Sequence, residues 1–216
     1  MKKTVFLDLD GTLTDSRPGI LAGAAHALTA LGVPTLPDEV TTAFIGPPLY
    51  DCFRTLYGLD DTAARRAVTL YREYYGTRGL FENTVYEGVP EMLAALASAG
   101  HTLCLATGKP HEYGRRIVSH FGLDRYITAV YGAEFDGTRG EKADLLAYVL
   151  SDRGLAPADA VMVGDRRFDV AGALAVGVTP LGVLWGYGDA AELTAAGATH
   201  LAKSPAEAVD LLLSMK

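Results

Sequence analysis

Four acidic residues occur in two short stretches far apart in the chain. Asp8-Leu9-Asp10-Gly11-Thr12 lies near the start, and Gly164-Asp165-Arg166-Arg167-Phe168-Asp169 lies in the last third. Each follows a short apolar run. In the first stretch, strand alternation sends Asp8 and Asp10 to one side just where the strand leaves the core. Carboxylates held that close repel unless a cation lies between them or one takes a proton. The alternative is a solvated Asp-Gly turn. In the second stretch, Asp165 and Asp169 are four residues apart, a helical spacing that predicts both on one face of a first helical turn. That fits either a surface helix laced with salt bridges to Arg166 and Arg167, or two carboxylates turned toward a metal.

Two further stretches could hold an anion. In Leu105-Ala106-Thr107-Gly108-Lys109 an apolar run ends in a hydroxyl, a glycine and a cation, where the next helix is expected to open. A helix N-terminus of that kind binds anions, although a Thr N-cap beside a solvated Lys reads the same way. Lys142, in Arg139-Gly140-Glu141-Lys142, opens another helix. Together these stretches bring four carboxylates, a threonine hydroxyl and two lysines to the ends of separate apolar runs. Carboxylate oxygens suit Mg²⁺. A hydroxyl and ammonium groups suit the non-bridging oxygens of a phosphoryl group.

The positioning elements follow from periodicity. Short buried strands are predicted at Thr4–Leu7, Thr102–Ala106, Ala129–Tyr131, Ala160–Val163 and Thr179–Leu184. Helical patterns cover Gly88–Ala99, His111–Phe121, Glu141–Arg153, Phe168–Val176 and Pro205–Met215. This alternation predicts an α/β fold with a parallel sheet covered on both faces, and ligands bind such sheets outside the carboxyl ends of the strands. Between Ser16 and Glu82 only helical patterns occur, interrupted at Gly32-Val33-Pro34, Ile45-Gly46-Pro47-Pro48 and Gly58. A wholly helical second domain, residues 16–82, is therefore expected as an insert in a core of residues 1–15 and 83–216.

The 216 residues carry a net charge of −7, which argues against a nucleic-acid polymer as partner, since that affinity rests on Lys and Arg. The apolar run after Met1-Lys2-Lys3 stops at Asp8, too short for a signal peptide or a membrane span. The two cysteines, Cys52 and Cys104, have no metal or disulfide spacing. A reducing, cytoplasmic setting is expected.

The order Asp8-Leu9-Asp10-Gly11-Thr12, Thr107, Lys142, Gly164-Asp165 and Asp169 resembles the haloacid dehalogenase superfamily, in particular its phosphoglycolate-phosphatase-like and nucleotidase-like branch. The resemblance spans nearly the whole chain. It implies a Rossmann-like core with a small helical cap at 16–82, a Mg²⁺ cofactor and a small phosphorylated metabolite as substrate. Asp8 would be the nucleophile and Asp10 the general acid and base. Leu9, Thr107, Gly108 and Lys142 would hold the phosphoryl group. Asp8, Asp10 (through its backbone carbonyl), Asp165 and Asp169 would hold the metal. The cap loop with Gly46 and Pro47, together with Arg54 and Lys109, would meet the substrate.

Within the resemblance, Asp10 argues against dehalogenation. The absence of lysine from 16–82 argues against a phosphonatase, and the lack of a histidine just after Asp15-Ser16 against a sugar phosphomutase. Phosphoglycolate is the leading substrate, with a nucleoside monophosphate as the alternative. A sugar phosphate ranks lower, and a receiver-like signalling module is remote on chain length and on the position of Asp8. The cap tyrosines and the turn Gly182–Gly188, with Trp185 and Tyr187, either border the site or pack. A monomer or homodimer fits.

Overall fold

The computed structural model describes residues 2–37 and 42–215. The chain forms two units, one of Met1–Thr14 with Val85–Lys216 and the other of Asp15–Thr84.

In the first unit the strands are β1 (Thr4–Leu7), β4 (Thr102–Pro110), β5 (Ala129–Ala133), β6 (Ala160–Gly164), β7 (Thr179–Val183) and β8 (Leu201–Ala202). They form one sheet in the order β5-β4-β1-β6-β7-β8. All pairings are parallel. The central strand β1 pairs Leu7 with Leu105 on one side and with Val163 on the other. It is buried throughout because both of its faces are covered; Val5, Phe6 and Leu7 have no exposure.

Helices α4 (Val89–Ser98), α5 (His111–His120), α6 (Lys142–Arg153), α7 (Arg167–Ala175), α8 (Ala190–Ala195) and α9 (Pro205–Ser214) belong to this unit. Leu145, Leu146 and Val149 of α6 bury their side chains with Phe6, Cys104, Ala106 and Met162 of the sheet. Each large side chain buried in this way contributes about 1.5–3 kcal/mol, so α6 is anchored firmly beneath its first residue, Lys142. Helix α6 ends at Gly154, which takes the left-handed conformation, φ 61°. Cys104 and Cys52 are buried free thiols.

The structure differs from the sequence expectation at the end of β4 and in several short elements. Strand β4 continues past Ala106 to Pro110, so Thr107, Gly108 and Lys109 lie on extended chain rather than opening the helix, which starts at His111. The pairing of β4 with β5 is irregular between Thr107 and Pro110. Helix α8, the edge strand β8 and the pair β2 (Thr14–Asp15) and β3 (Thr84–Val85) also appear. All are too short to show a period.

The second unit is helical, with α1 (Arg17–Ala30), α2 (Leu49–Tyr57), α3 (Asp61–Tyr74), a 3₁₀ turn at Thr42–Phe44 and a wide π turn at Tyr75–Gly79. Asp60 caps α3 by accepting from the Ala63 N–H. Helix α1 sits close against α3 and the π turn. A Cβ on Gly19 would stand 2.0 Å from the Gly79 carbonyl oxygen, and one on Gly23 would stand 2.9 Å from the Tyr71 ring. The helical pattern expected just before Ile45 falls partly on residues 38–41, outside the described residues. No described helix is long and apolar enough to cross a membrane.

Candidate active site

Asp8 stands one residue past β1 and still donates its N–H to the Val163 carbonyl, 2.9 Å away. Its carboxylate is therefore fixed at the carboxyl edge of the sheet, between β4 and β6. Lys142, the first residue of α6, points its ammonium there. Nζ lies 2.8 Å from Asp8 Oδ1, 2.7 Å from Asp169 Oδ1 and 2.8 Å from the Ala106 carbonyl oxygen. Three acceptors match the three N–H bonds of an ammonium. The stem is held as tightly: a Cβ on Gly172 of α7 would stand 2.7 Å from Lys142 Cβ.

Asp10 follows in a tight turn. Gly11 has φ +82° and donates to the Thr14 carbonyl at 2.8 Å, while the Leu9 carbonyl accepts from Leu13 and Thr14 at 2.9 and 3.0 Å. Leu9 buries its side chain completely. Asp10 Oδ2 pairs with Lys109 Nζ at 3.2 Å, and Asp10 Oδ1 is buried with no hydrogen-bond partner among the described residues. Thr107 is buried, and its Oγ1 accepts from the Lys109 N–H at 3.2 Å. Gly108 is exposed, with the Gly140 carbonyl oxygen 3.7 Å from where a Cβ would stand.

Asp165 and Asp169 do not share a helical face, contrary to the spacing argument. Asp165 leaves β6 in a bend. The helix begins at Arg167, and only Asp169 lies in its first turn, where Oδ2 accepts from the Arg166 N–H at 3.1 Å. The two carboxylates converge because a strand end and a helix start meet there. Arg166 turns away to Glu192, Nε to Oε1 2.9 Å. Asp165 is completely buried and has no cationic partner among the described residues. Its Oδ1 accepts from Thr12 Oγ1 at 3.2 Å and its Oδ2 from the Tyr187 N–H at 2.8 Å.

Asp8, Asp165 and Asp169 thus offer buried oxygens all within 4.8 Å of one another. Burial pushes the Asp8 carboxyl up to about 7. Lys142 opposes the rise, and the Asp169 and Asp10 carboxylates add to it. Burial pushes Asp165 up to about 8, with Asp169 and Asp8 adding to it. Burial also works against the Lys142 charge, but Asp169 and Asp8 outweigh it and hold the ammonium above its ordinary value. A single buried ammonium does not satisfy this triad. Crowded, all-oxygen and short of positive charge, it fits a hard divalent cation.

The expected contacts of the second unit are placed less distinctively. Gly46, φ +112°, and Pro47 follow the 3₁₀ turn, and Arg54 is an exposed residue of α2. Most of the tyrosines of the second unit have internal partners: Tyr71 and Tyr75 are buried and stack at 5.1 Å, Tyr74 donates to Glu82 at 2.8 Å, and Tyr50 to Asp61 at 2.5 Å. Neither Thr12 nor the Tyr187 N–H stands out in the sequence pattern as part of the site. The closely spaced Gly186 and Gly188 were the available signal, since both press on Asp165.

A family profile described as Haloacid dehalogenase-like hydrolase matches residues 5–183. A Pseudomonas aeruginosa protein named 5'-nucleotidase is 46% identical over 200 residues, covering 91% of this chain and 89% of its own. The Mycobacterium tuberculosis protein named Tyrosine-protein kinase PtkA is 42% identical over 186 residues, 86% of this chain but 63% of that protein. The crystal structure of a predicted phosphatase from Clostridium acetobutylicum superposes with a TM-score of 0.93 at 36% identity, covering 99% of both chains. The chain belongs to the haloacid dehalogenase-like hydrolase family, and its first unit has the Rossmann-like α/β fold of that family.

Proposed function

We propose that the protein is a Mg²⁺-dependent phosphomonoesterase that works through an aspartyl phosphate on Asp8. The observation that carries this reading is the meeting of the Asp8, Asp165 and Asp169 carboxylates, with the buried Lys142 ammonium on Asp8 and Asp169 and with Asp10 held by Lys109.

A carboxylate oxygen of Asp8 attacks phosphorus and the P–O bond to the leaving group breaks. Asp10 gives the departing oxygen its proton, then takes one from the water that attacks phosphorus and releases Asp8 and inorganic phosphate. Asp10 suits both tasks because its Oδ1 has no hydrogen-bond partner among the described residues while Oδ2 is tethered to Lys109. Lys142 and the Thr107 hydroxyl, with the backbone at Leu9 and Gly108, hold the phosphoryl oxygens. The side chains of Asp8, Asp165 and Asp169 and the Asp10 carbonyl would hold Mg²⁺. When bound, the ion supplies positive charge that lets an anionic nucleophile meet an anionic ester.

Residues 16–82 serve as a cap that selects the leaving group, with Gly46, Pro47 and Arg54 as its contacts. Free buried thiols fit a cytoplasmic setting. The substrate is a small phosphometabolite. Phosphoglycolate and nucleoside 5'-monophosphates are the first to test, and likeness to the protein named 5'-nucleotidase favours the second. Hydrolysis should be assayed across a panel of phosphomonoesters with Mg²⁺ and with EDTA. The reading expects release of inorganic phosphate from at least one class, abolished by EDTA and by Asp8→Asn. Turnover undiminished in EDTA, or transfer to a tyrosine peptide in place of water, would overturn it.

A further inference from the structure

Asp165 is buried with no cationic partner among the described residues, so its position depends on the groups that hydrogen-bond to it. Both of its acceptors lead to one turn. Oδ2 takes the Tyr187 N–H at 2.8 Å, and Oδ1 takes the Thr12 hydroxyl at 3.2 Å. Thr12 is in turn fastened by Trp185, whose indole Nε1 donates to the Thr12 carbonyl at 3.0 Å. Residues 185–187 therefore grip Asp165 twice, directly through Tyr187 and at one remove through Trp185 and Thr12.

The fit leaves no slack. A Cβ on Gly186 would stand 2.2 Å from the Gly11 carbonyl oxygen and 2.5 Å from Asp165 Oδ2. One on Gly188 would stand 2.1 Å from the Asp165 carbonyl oxygen, and one on Gly11 would stand 2.1 Å from Asp165 Oδ2. Such glycines allow backbone to press directly on a side chain. Groups that orient a metal ligand from behind change metal affinity about 10–100-fold when removed.

We infer that Trp185 is a positioning residue for Asp165, acting through Thr12, and that cation binding at Asp165 is transmitted to its indole. The inference rests on the reading of Asp165 as a metal ligand. Trp185 is the one tryptophan of the chain, so its emission reports on this position alone.

The test uses the full chain in two measurements. Mg²⁺ is titrated into the wild type while Trp185 emission is followed, and free Mn²⁺ is counted by electron paramagnetic resonance in wild type, Trp185→Phe, Thr12→Val, Thr12→Ser and Asp165→Asn. The expected results are an emission change that saturates with Mg²⁺, and Mn²⁺ affinity about 10-fold weaker in Trp185→Phe and Thr12→Val. Thr12→Ser, which keeps the hydroxyl, should bind close to wild type. Activity of Trp185→Phe should return at saturating Mg²⁺, which a general loss of structure would not allow. Wild-type Mn²⁺ affinity in both Trp185→Phe and Thr12→Val, or emission unchanged through Mg²⁺ saturation, overturns the inference. If Trp185→Phe fails to fold, the Thr12→Val and Thr12→Ser pair decides: equal binding by the two overturns it. Undiminished binding by Asp165→Asn would instead overturn the underlying metal assignment, which separates the two failures.

Discussion

Lys142 Nζ lies 2.8 Å from Asp8 Oδ1, although 134 residues separate them in the chain. The same ammonium reaches Asp169 at 2.7 Å, so one side chain neutralises the proposed nucleophile and braces the carboxylate across from it. Replacing it with methionine keeps the buried stem and removes the charge. Lys142→Met should lower kcat by about 10²–10³-fold, as loss of a donor at a developing charge does. Without metal it should also be less stable, by about 3–5 kcal/mol, because buried carboxylates are left unpaired. Steady-state kinetics and urea denaturation check both. Wild-type kcat would remove Lys142 from the site.

Gly172 leaves room for that lysine. A methyl group there would stand 2.7 Å from Lys142 Cβ and 3.0 Å from the Ala143 nitrogen. Gly172→Ala should therefore cost about 1–3 kcal/mol through overpacking and should lower activity by displacing Nζ. A denaturation midpoint at or above wild type would contradict the packing described.

Asp8 and Asp165 titrate higher in the folded protein, at about 7 and about 8, than in an unfolded chain, where a carboxyl titrates at about 3.9. Between those values the folded state holds more protons. Stability of the metal-free protein therefore falls as pH rises through that window. Lys142, held above its ordinary value, stays charged throughout and leaves the slope unchanged. In EDTA the melting temperature should drop by about 5 °C or more between pH 5 and pH 8, the shift that ~2 kcal/mol produces in a domain of this size. Mg²⁺ should restore it at pH 8, because ligation favours the ionised carboxylates. A metal-free melting temperature that rises over this range would contradict the shifts.

Lys109 tethers one oxygen of Asp10 at 3.2 Å. Lys109→Met should lower kcat by about 10–100-fold, a part of the 10²–10⁴ that a positioned acid–base group supplies, with Mn²⁺ affinity unchanged. An effect on Mn²⁺ affinity larger than that on kcat would place Lys109 with the metal ligands instead.

The sheet was largely legible because its strands are buried on both faces. Residues 5–7 and 160–163 are continuously apolar and are followed at once by Asp8 and Gly164. Most pieces of the candidate site were legible for the same reason, since Asp8, Thr107 and Asp165 sit near the ends of such runs, whereas Lys142 opens a helix. Their mutual arrangement was less so. The spacing of Asp165 and Asp169 suggested one helical face, whereas a strand end and a helix N-terminus bring them together. Periodicity cannot distinguish those cases over five residues. Thr12, Trp185 and Tyr187 carry no charge pattern, and two of the hydrogen bonds that tie them together use backbone atoms, which a sequence does not display. Strand β8 and helix α8 are too short to have a period.

The most direct measurement is of the bond to Asp8. A substrate carrying ³²P in its phosphoryl group is mixed with enzyme and Mg²⁺, quenched in acid within one turnover, and the protein is digested and mapped. The account expects label on the peptide containing Asp8, lost within the time of a turnover and absent from Asp8→Asn, which should also be inactive. Label on another residue, or Asp8→Asn turning over at the wild-type rate, would contradict it.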